Sequence, residues 1–239
     1  MKHAFGLLVL VPLALTASAC GGGGAEHKQA EAEVKGRPLP KYEQALLPAG
    51  KYHSTEFEPP LSFRITGDKW RFEGPSGTLG DPEHPDYLFI DKAPWGEMAF
   101  FNVRKVKGVY KPKGPTGAIE PVPAPDELVG WFRHNPYLKT SEPKPASVGG
   151  FEGVQFDVAL TNRPVNHVGI CGSKDCLDIF ALSSGGSSEV HYTKQEHYIV
   201  LENVKGTPIV IYYNNLKKDF DEFVPVAENV LQSVEWTGS

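Results

Sequence analysis

The sequence lacks both a long hydrophobic run and an excess of basic charge. Its one strongly apolar segment, residues 4–17, is shorter than the about 20 residues that a membrane-spanning helix needs. The formal net charge is -5, whereas proteins that bind nucleic acid need a basic patch to replace the counterions of the phosphates. We therefore predict no transmembrane helix and no nucleic-acid partner.

The motifs of common enzyme classes are also absent. The sequence contains no H-E-x-x-H, no Walker A loop and no G-x-G-x-x-G. The serine-rich segment 183–188 does not match the G-x-S-x-G nucleophile elbow, and we interpret it as a loop. The acidic segment 81–86 lacks the glycine at which a cation-binding loop turns, which favours a solvated loop. The sequence therefore predicts no catalytic residue, no metal and no cofactor, and we expect a protein that is not an enzyme.

The first twenty residues have the order of an export signal. Lys2 precedes the apolar segment, and small residues follow it up to Cys20. The tetrapeptide Ala17-Ser18-Ala19-Cys20 resembles a bacterial lipobox, in which the cysteine thiol is joined to diacylglycerol, although Leu is commoner than Ala at position 17. The resemblance implies a signal peptide at 1–19, a lipid on Cys20 and a location on the extracytoplasmic face of the cell membrane. The alternative is an ordinary A-x-A cleavage site that releases a soluble protein.

Residues 20–49 have the composition of a flexible tether. The run Gly21–Gly24 follows Cys20 directly, and polar residues continue to about Gly36. Because no apolar stripe is available to bury a helical face, we expect a coil that reaches on the order of 30 Å at 5–6 Å × √n. A glycine-rich spacer suits a chain whose first residue is held at a membrane, which favours lipidation over release.

Residues 50–239 predict a single α+β domain. Hydrophobic residues make up 40% of the chain, which is enough for a core, and apolar residues alternate with polar ones in short runs typical of strands. These runs are Lys51–Phe57, Leu61–Thr66, Lys69–Glu73, Tyr87–Ile90, Met98–Val106, Val154–Leu160, Leu177–Leu182, His197–Glu202 and Ile209–Tyr213. The last two runs, with Lys205-Gly206 between them, predict an antiparallel hairpin.

Two segments have helical spacing. One begins at Pro125-Asp126-Glu127, with Asp126 as the candidate N-cap, and ends before Pro136. The other begins near Asp219 and repeats apolar residues every three or four positions, with Pro225 in its first turns. Because β-α-β alternation is absent, the pattern favours a mostly antiparallel sheet covered by a few helices.

The second half of this domain resembles a known family. The strand at 149–156, the hairpin at 198–213 and the segment 220–236 follow one another as in the C-terminal half of PsbP-like domains, including the LpqN-type lipoproteins of actinobacteria. The segment 123–132 is also similar to that of actinobacterial lipoproteins without an assigned activity. The resemblance implies an αβα sandwich with a central antiparallel sheet and a binding or assembly role. It implies no catalytic residues.

Cys171 and Cys176 predict a disulfide, since two thiols this close in sequence usually oxidise outside the cytoplasm. The small loop between them gives a stabilisation of about 2 kcal/mol in the chain-entropy account. A redox pair is one alternative, although the spacing differs from C-x-x-C. A metal site with His167 is the other, and zinc would need two further ligands.

Trp131, Phe132 and Tyr137 are the candidate ligand-binding residues. Trp131 and Phe132 are adjacent on a predicted helix, so they cannot both face the same side, and one of them is free to line a groove. The alternative is a wide stripe that is entirely buried.

Together these features favour a membrane-anchored, non-enzymatic module that binds a small molecule or a protein of the cell envelope. One alternative is a structural or assembly factor that acts through protein contacts. The other is an envelope hydrolase, which would need a serine or a carboxylate beside a histidine in a pocket.

Overall fold

Strands dominate the fold. The structure, a computed structural model, describes residues 36–40, 45–54, 56–73, 86–111, 120–161 and 175–238, all within one compact unit, Lys35–Ser239. The strands in these ranges are β1 (Arg37–Pro38), β2 (Ala45–Leu47), β3 (Gly50–Ser54), β4 (Leu61–Ile65), β5 (Trp70–Phe72), β6 (Tyr87–Lys92), β7 (Gly96–Asn102), β8 (Gly108–Lys111), β9 (Glu120–Val122), β10 (Leu138–Thr140), β11 (Lys144–Val148), β12 (Phe151–Leu160), β13 (Cys176–Ala181), β14 (Ser187–His191), β15 (Lys194–Val204), β16 (Thr207–Leu216) and β17 (Glu235–Trp236). The helices there are α1 (Leu128–His134) and α2 (Phe220–Gln232).

These strands form three sheets. The large sheet has the order β10-β12-β15-β16-β7-β6-β5-β2, with β11 also paired to β12, and all its pairs are antiparallel. The two smaller sheets have the orders β1-β3-β4-β17 and β14-β13-β8-β9. Only one strand pair in the described ranges, β1 with β3, is parallel.

The large sheet is the middle layer between two cores. Successive side chains of a strand point to opposite faces, so on β15 Ile199 and Leu201 enter one core while Tyr198 and Val200 enter the other. The first core lies between the large sheet, the β1-β3-β4-β17 sheet and α2. The second core lies between the large sheet, the β14-β13-β8-β9 sheet and α1.

The predicted αβα sandwich is wrong. Each face of the large sheet is covered mainly by a smaller sheet, and each covering layer contains a single helix of seven or thirteen residues. The broader α+β description fits loosely, and the antiparallel character of the large sheet is confirmed. The alternation of apolar residues predicts that a segment is a strand, but it does not predict the sheet to which that strand belongs.

Most of the predicted elements are present, with shifted ends. All nine predicted strand runs contain strands, and β15 and β16 form the predicted antiparallel hairpin. The helix predicted to end before Pro136 is α1, but Glu127 rather than Asp126 is its N-cap. The strands β1 and β2 lie inside the range predicted as tether, so strand structure begins before Gly50.

Several predictions lie outside the described residues. The signal peptide at 1–19, the lipidated Cys20, Cys171 and His167 all fall there, so the anchor and the disulfide stay predictions. Cys176, the second cysteine of the predicted disulfide, is fully buried at the start of β13. Across the described part of the chain, no helix is long and apolar enough to span a bilayer.

Candidate functional site

A largely apolar groove lies beside α1. Its volume is about 510 Å³, within the range of ordinary small-molecule sites. One wall is the β8–β9 hairpin, the other is α1, and the segment 123–127 joins them. The lining residues are Val109, Lys111, Val122, Pro123, Pro125, Glu127, Gly130, Trp131, His134, Asn135 and Pro136. We call this cavity the Trp131 groove.

The first turn of α1 is fixed by the groove residue Glu127. Its carboxylate accepts a hydrogen bond from the Gly130 backbone N–H at 2.9 Å, and its carbonyl accepts one from Trp131 N–H at 3.1 Å. A Cβ atom at position 130 would overlap the Glu127 carboxylate as it is placed, so a larger residue there would require the capping side chain to move. The cap therefore positions Trp131 and keeps the floor of the groove free of side-chain atoms.

His134 places a polar atom in the lining of the groove. Its Nδ1 lies 2.7 Å from the Gly130 carbonyl oxygen, one helical turn earlier. Because a carbonyl oxygen only accepts, Nδ1 carries the proton, and in the neutral ring Nε2 is left as a hydrogen-bond acceptor. Lys111, on the opposite wall, adds an ammonium group. The groove thus combines apolar walls with the His134 acceptor, the Lys111 ammonium group and the Glu127 carboxylate, which caps α1.

The three aromatic residues predicted to bind a ligand have different environments. Trp131 is partly buried and lines the groove. Phe132 is fully buried in the second core, where its ring centroid lies 4.9 Å from that of Tyr198 and 5.5 Å from that of Phe156. Tyr137 is partly buried against the same core and does not line the groove. Of the three, only Trp131 is placed to contact a ligand there, and its role in binding stays a prediction.

A second, more polar cavity lies on the other side of the segment 123–127. Its volume is about 570 Å³, and its charged lining residues are Arg104, Lys107, Asp126, Glu127 and Glu202. Pro123, Pro125 and Glu127 line both cavities, so this segment is their common wall. The mixture of charges provides no apolar surface comparable to that of the Trp131 groove.

Glu196, on β15 just after the turn from β14, is a carboxyl group without solvent exposure. Its Oε1 accepts a hydrogen bond from the His191 backbone N–H at 2.9 Å, and the Tyr198 hydroxyl donates to Oε2 at 3.1 Å. Burial raises the pKa of Glu196 to about 7, and it outweighs these hydrogen bonds and the positive charges of His191 and Lys194. The charges of Glu196 and Tyr212 add to burial and raise the pKa of Tyr198 well above its usual value.

Ser187, on β14, lies between two carboxylates of the β13–β14 strand pair. Its hydroxyl oxygen is 2.6 Å from Asp178 Oδ1 and 2.7 Å from Glu189 Oε1, while His191 Nε2 is 3.8 Å from Glu189 Oε2. A serine nucleophile needs an imidazole beside its hydroxyl, with the carboxylate behind the imidazole. Here the carboxylate stands between serine and histidine, so the geometry does not match that of an activated serine.

Clusters of metal ligands give no candidate site either. Within the described ranges of the chain, no group of three or more His, Cys, Asp and Glu side chains is placed to hold a metal ion. From the acidic segment 81–86, only Asp86 is described. It is buried rather than solvated, and it accepts a hydrogen bond from the Ser183 backbone N–H at 2.7 Å.

Sequence reasoning missed most of the groove. The segment from Lys111 to Pro125 has the composition of a loop, yet β9 lies within it and pairs with β8. No sequence pattern singled out Lys111, Val109 or His134. The wall opposite α1 is built from strands, and the residue pattern of a strand does not predict which strand it pairs with. The adjacent aromatic pair on α1 was the only signal that pointed to this place.

Comparisons with known proteins identify no family for this chain. No protein-family model and no curated protein matches its sequence. The resemblance to PsbP-like domains therefore stays a prediction.

Two solved structures are similar to the chain at low identity. One is the crystal structure of LpqN, involved in cell envelope biogenesis of Mycobacterium tuberculosis, at 12% identity and a TM-score of 0.33, with 90% of this chain and 100% of that chain covered. The other is the apo structure of the T6SS immunity protein TplEi from Pseudomonas aeruginosa, at 9% identity and a TM-score of 0.30, with 83% of this chain and 51% of that chain covered. At TM-scores below 0.5, neither similarity carries an argument about this protein.

Proposed function

We propose that this protein is a lipid-anchored, extracytoplasmic binding module of the cell envelope, and that it holds the apolar part of an envelope molecule in the Trp131 groove. The groove is the observation that supports binding. Its walls are largely apolar, it has a volume of about 510 Å³, and it includes a partly buried tryptophan of the kind that contributes strongly to binding. The polar groups of His134 and Lys111 suit a ligand with one anionic or hydrogen-bonding end.

The lipid anchor is supported by the sequence alone. The lipobox-like segment ends at Cys20, and a glycine run follows at once. Two acyl chains on the cysteine provide the two signals that stable membrane attachment requires. We further propose that the protein acts by binding, without catalysis, and that Cys171 and Cys176 form a disulfide. Its ligand is a small molecule or a protein of the envelope.

A fluorescent fatty acid tests the groove directly. We expect dansylaminoundecanoic acid to bind the protein extracted from membranes, with an increase in dansyl emission. Trp131→Ala should weaken this binding by about 10- to 30-fold, the range expected for loss of a buried aromatic anchor. Arg133→Ala is the matched control, because Arg133 is the next but one residue of the same helix and its exposed side chain is paired with Glu142 at 3.1 Å.

The outcomes of this titration separate the alternatives. Equal affinity of the wild type and Trp131→Ala would show that the dye binds elsewhere and would remove the groove as the site. Absence of dye binding, together with native mass spectra that contain no retained envelope molecule, would remove small-molecule binding and favour a partner protein.

A further inference from the structure

Exposed apolar side chains are concentrated at one end of the molecule. Among the described residues, the large hydrophobic side chains that stand exposed are Leu46, Trp95 and Tyr192, with 69%, 58% and 56% of their surface accessible. Single exposed apolar residues need no explanation, but three at the same end of the fold mark that end as a candidate contact surface.

The strand register places these side chains at the same end of the large sheet. Trp95 is in the β6–β7 turn, and Gly96 after it lies so close to Phe223 of α2 that a Cβ atom there would overlap the ring. Tyr192 follows β14, and the ammonium group of Lys217, just beyond β16, lies 4.8 Å from the centre of its ring. Because Glu97 of β7 pairs with Asn214 of β16, the start of β7 and the end of β16 are neighbours.

The β4–β5 turn and the end of β2 complete this end. The Ala93 N–H donates to the Lys69 carbonyl oxygen at 3.1 Å, which joins the β6–β7 turn to the β4–β5 turn. Leu47, the residue after Leu46, pairs with Trp70, the first residue after that turn. We call this surface, formed by Leu46 and the turns 67–69, 93–95, 192–193 and 217–219, the tether end.

The described chain also begins at the tether end. Arg37 pairs with Tyr52 in the parallel β1–β3 pair, and its guanidinium donates to the Ala49 carbonyl oxygen at 2.7 Å. Gly50, the next residue, pairs with Ile65, which leads directly into the β4–β5 turn. Gly36, where the described residues begin, therefore lies at this end of the fold.

We propose that the body of the protein rests on the lipid bilayer through the tether end, with Trp95 and Tyr192 in the headgroup region. The proposal rests on the proposed anchor at Cys20. A coil formed by residues 20–35 would have a root-mean-square span on the order of 20 Å at 5–6 Å × √n, so a lipid on Cys20 would favour contact between this end and the bilayer. Tryptophan and tyrosine favour the interface because each ring has an apolar body and a polar edge.

The charges at the tether end favour a neutral lipid surface. Lys69, Lys217 and Lys218 are exposed there, but Asp68 and Asp219 lie in the same turns. Because the positive and negative charges of these residues nearly balance, attraction to anionic lipid contributes little to membrane contact at this end. The exposed aromatic rings can instead insert into the apolar part of the bilayer interface, and the lysine ammonium groups can extend to the lipid phosphates.

Quenching by brominated lipid tests this contact. The full, processed protein is extracted from membranes and reconstituted into phosphatidylcholine vesicles with brominated acyl chains, which quench only tryptophan that lies at the bilayer. We expect part of the tryptophan emission to be quenched in the wild type, and this quenched part to be lost in Trp95→Phe. It should persist in Trp236→Phe, the control, whose tryptophan is buried in the first core.

The outcomes distinguish the docking contact from the anchor. Protein that stays with the vesicles, with quenching lost only in Trp95→Phe, supports the proposal. Protein that stays with the vesicles without quenching, or with the same quenching in Trp95→Phe, overturns the docking contact and leaves the anchor intact. Protein that does not partition into the vesicles overturns the anchor and the docking contact together.

Discussion

A buried carboxyl group makes the stability of this protein depend on pH. Burial raises the pKa of Glu196 to about 7 from its ordinary value of 4.5, so between these pH values the folded state holds a proton that the unfolded state has released. The stability contributed by this group is therefore fully present below about pH 4.5 and is lost as the pH rises towards 7. In the protonated form the carboxyl donates to the Tyr198 hydroxyl, which can accept as well as donate.

Replacing Glu196 by glutamine should remove this dependence. The amide oxygen keeps the bond from the His191 N–H, and the amide nitrogen can donate to Tyr198. We expect Glu196→Gln to be as stable as the wild type near pH 5 and more stable by up to about 3 kcal/mol at pH 8, since each pKa unit corresponds to about 1.4 kcal/mol. Urea unfolding at several pH values measures the difference.

The control for this experiment is Glu202→Gln, an exposed glutamate on the same strand. Its stability should follow the wild type across the whole pH range. Parallel curves for the wild type and Glu196→Gln would contradict the account of Glu196.

At the scale of secondary-structure elements, α1 combines two roles on opposite sides. Phe132 is fully buried against Tyr198 and Phe156, whereas the neighbouring Trp131 lines the groove. Successive residues of a helix point about 100° apart, so one short helix can both close the second core and provide a groove wall.

Alanine substitutions should separate these two roles. We expect Phe132→Ala to lower the free energy of unfolding by about 3–5 kcal/mol, as for other buried phenylalanines. Trp131→Ala should cost about 1 kcal/mol, because its side chain is only partly buried. Denaturant unfolding of both variants at one pH measures the contrast. A cost for Trp131→Ala as large as that for Phe132→Ala would show that Trp131 is a core residue, and the groove would lose its binding wall.

The same elements show what the sequence can predict here. Local patterns were sufficient for α2 and for the β15–β16 hairpin, because apolar spacing and the Lys205-Gly206 turn are properties of neighbouring residues. They were insufficient for the two covering sheets, because the partner of a strand depends on residues far away in the chain. The cap of α1 was missed because glutamate is rarely an N-cap, whereas the neighbouring Asp126 is a residue type that commonly caps helices.

At the scale of the whole molecule, the proposed role depends on how the chain is held. The tether end carries exposed aromatic rings and includes the start of the described chain at Gly36, while the Trp131 groove lies between α1 and the β8–β9 hairpin. A lipid on Cys20 would turn this arrangement into a binding module fixed at the bilayer. Without that lipid, neither the envelope role nor the docking contact would hold.

Mass spectrometry of the N-terminal peptide of the mature protein is the most direct test of this account. Trypsin cleavage after Lys28 should release from the membrane fraction a peptide that begins at Cys20 and carries the mass of a diacylglyceryl group on that residue. Cys20→Ser should yield no such peptide and leave the signal peptide uncleaved. An unmodified peptide that begins at Cys20, recovered from protein in the culture fluid, would contradict the account.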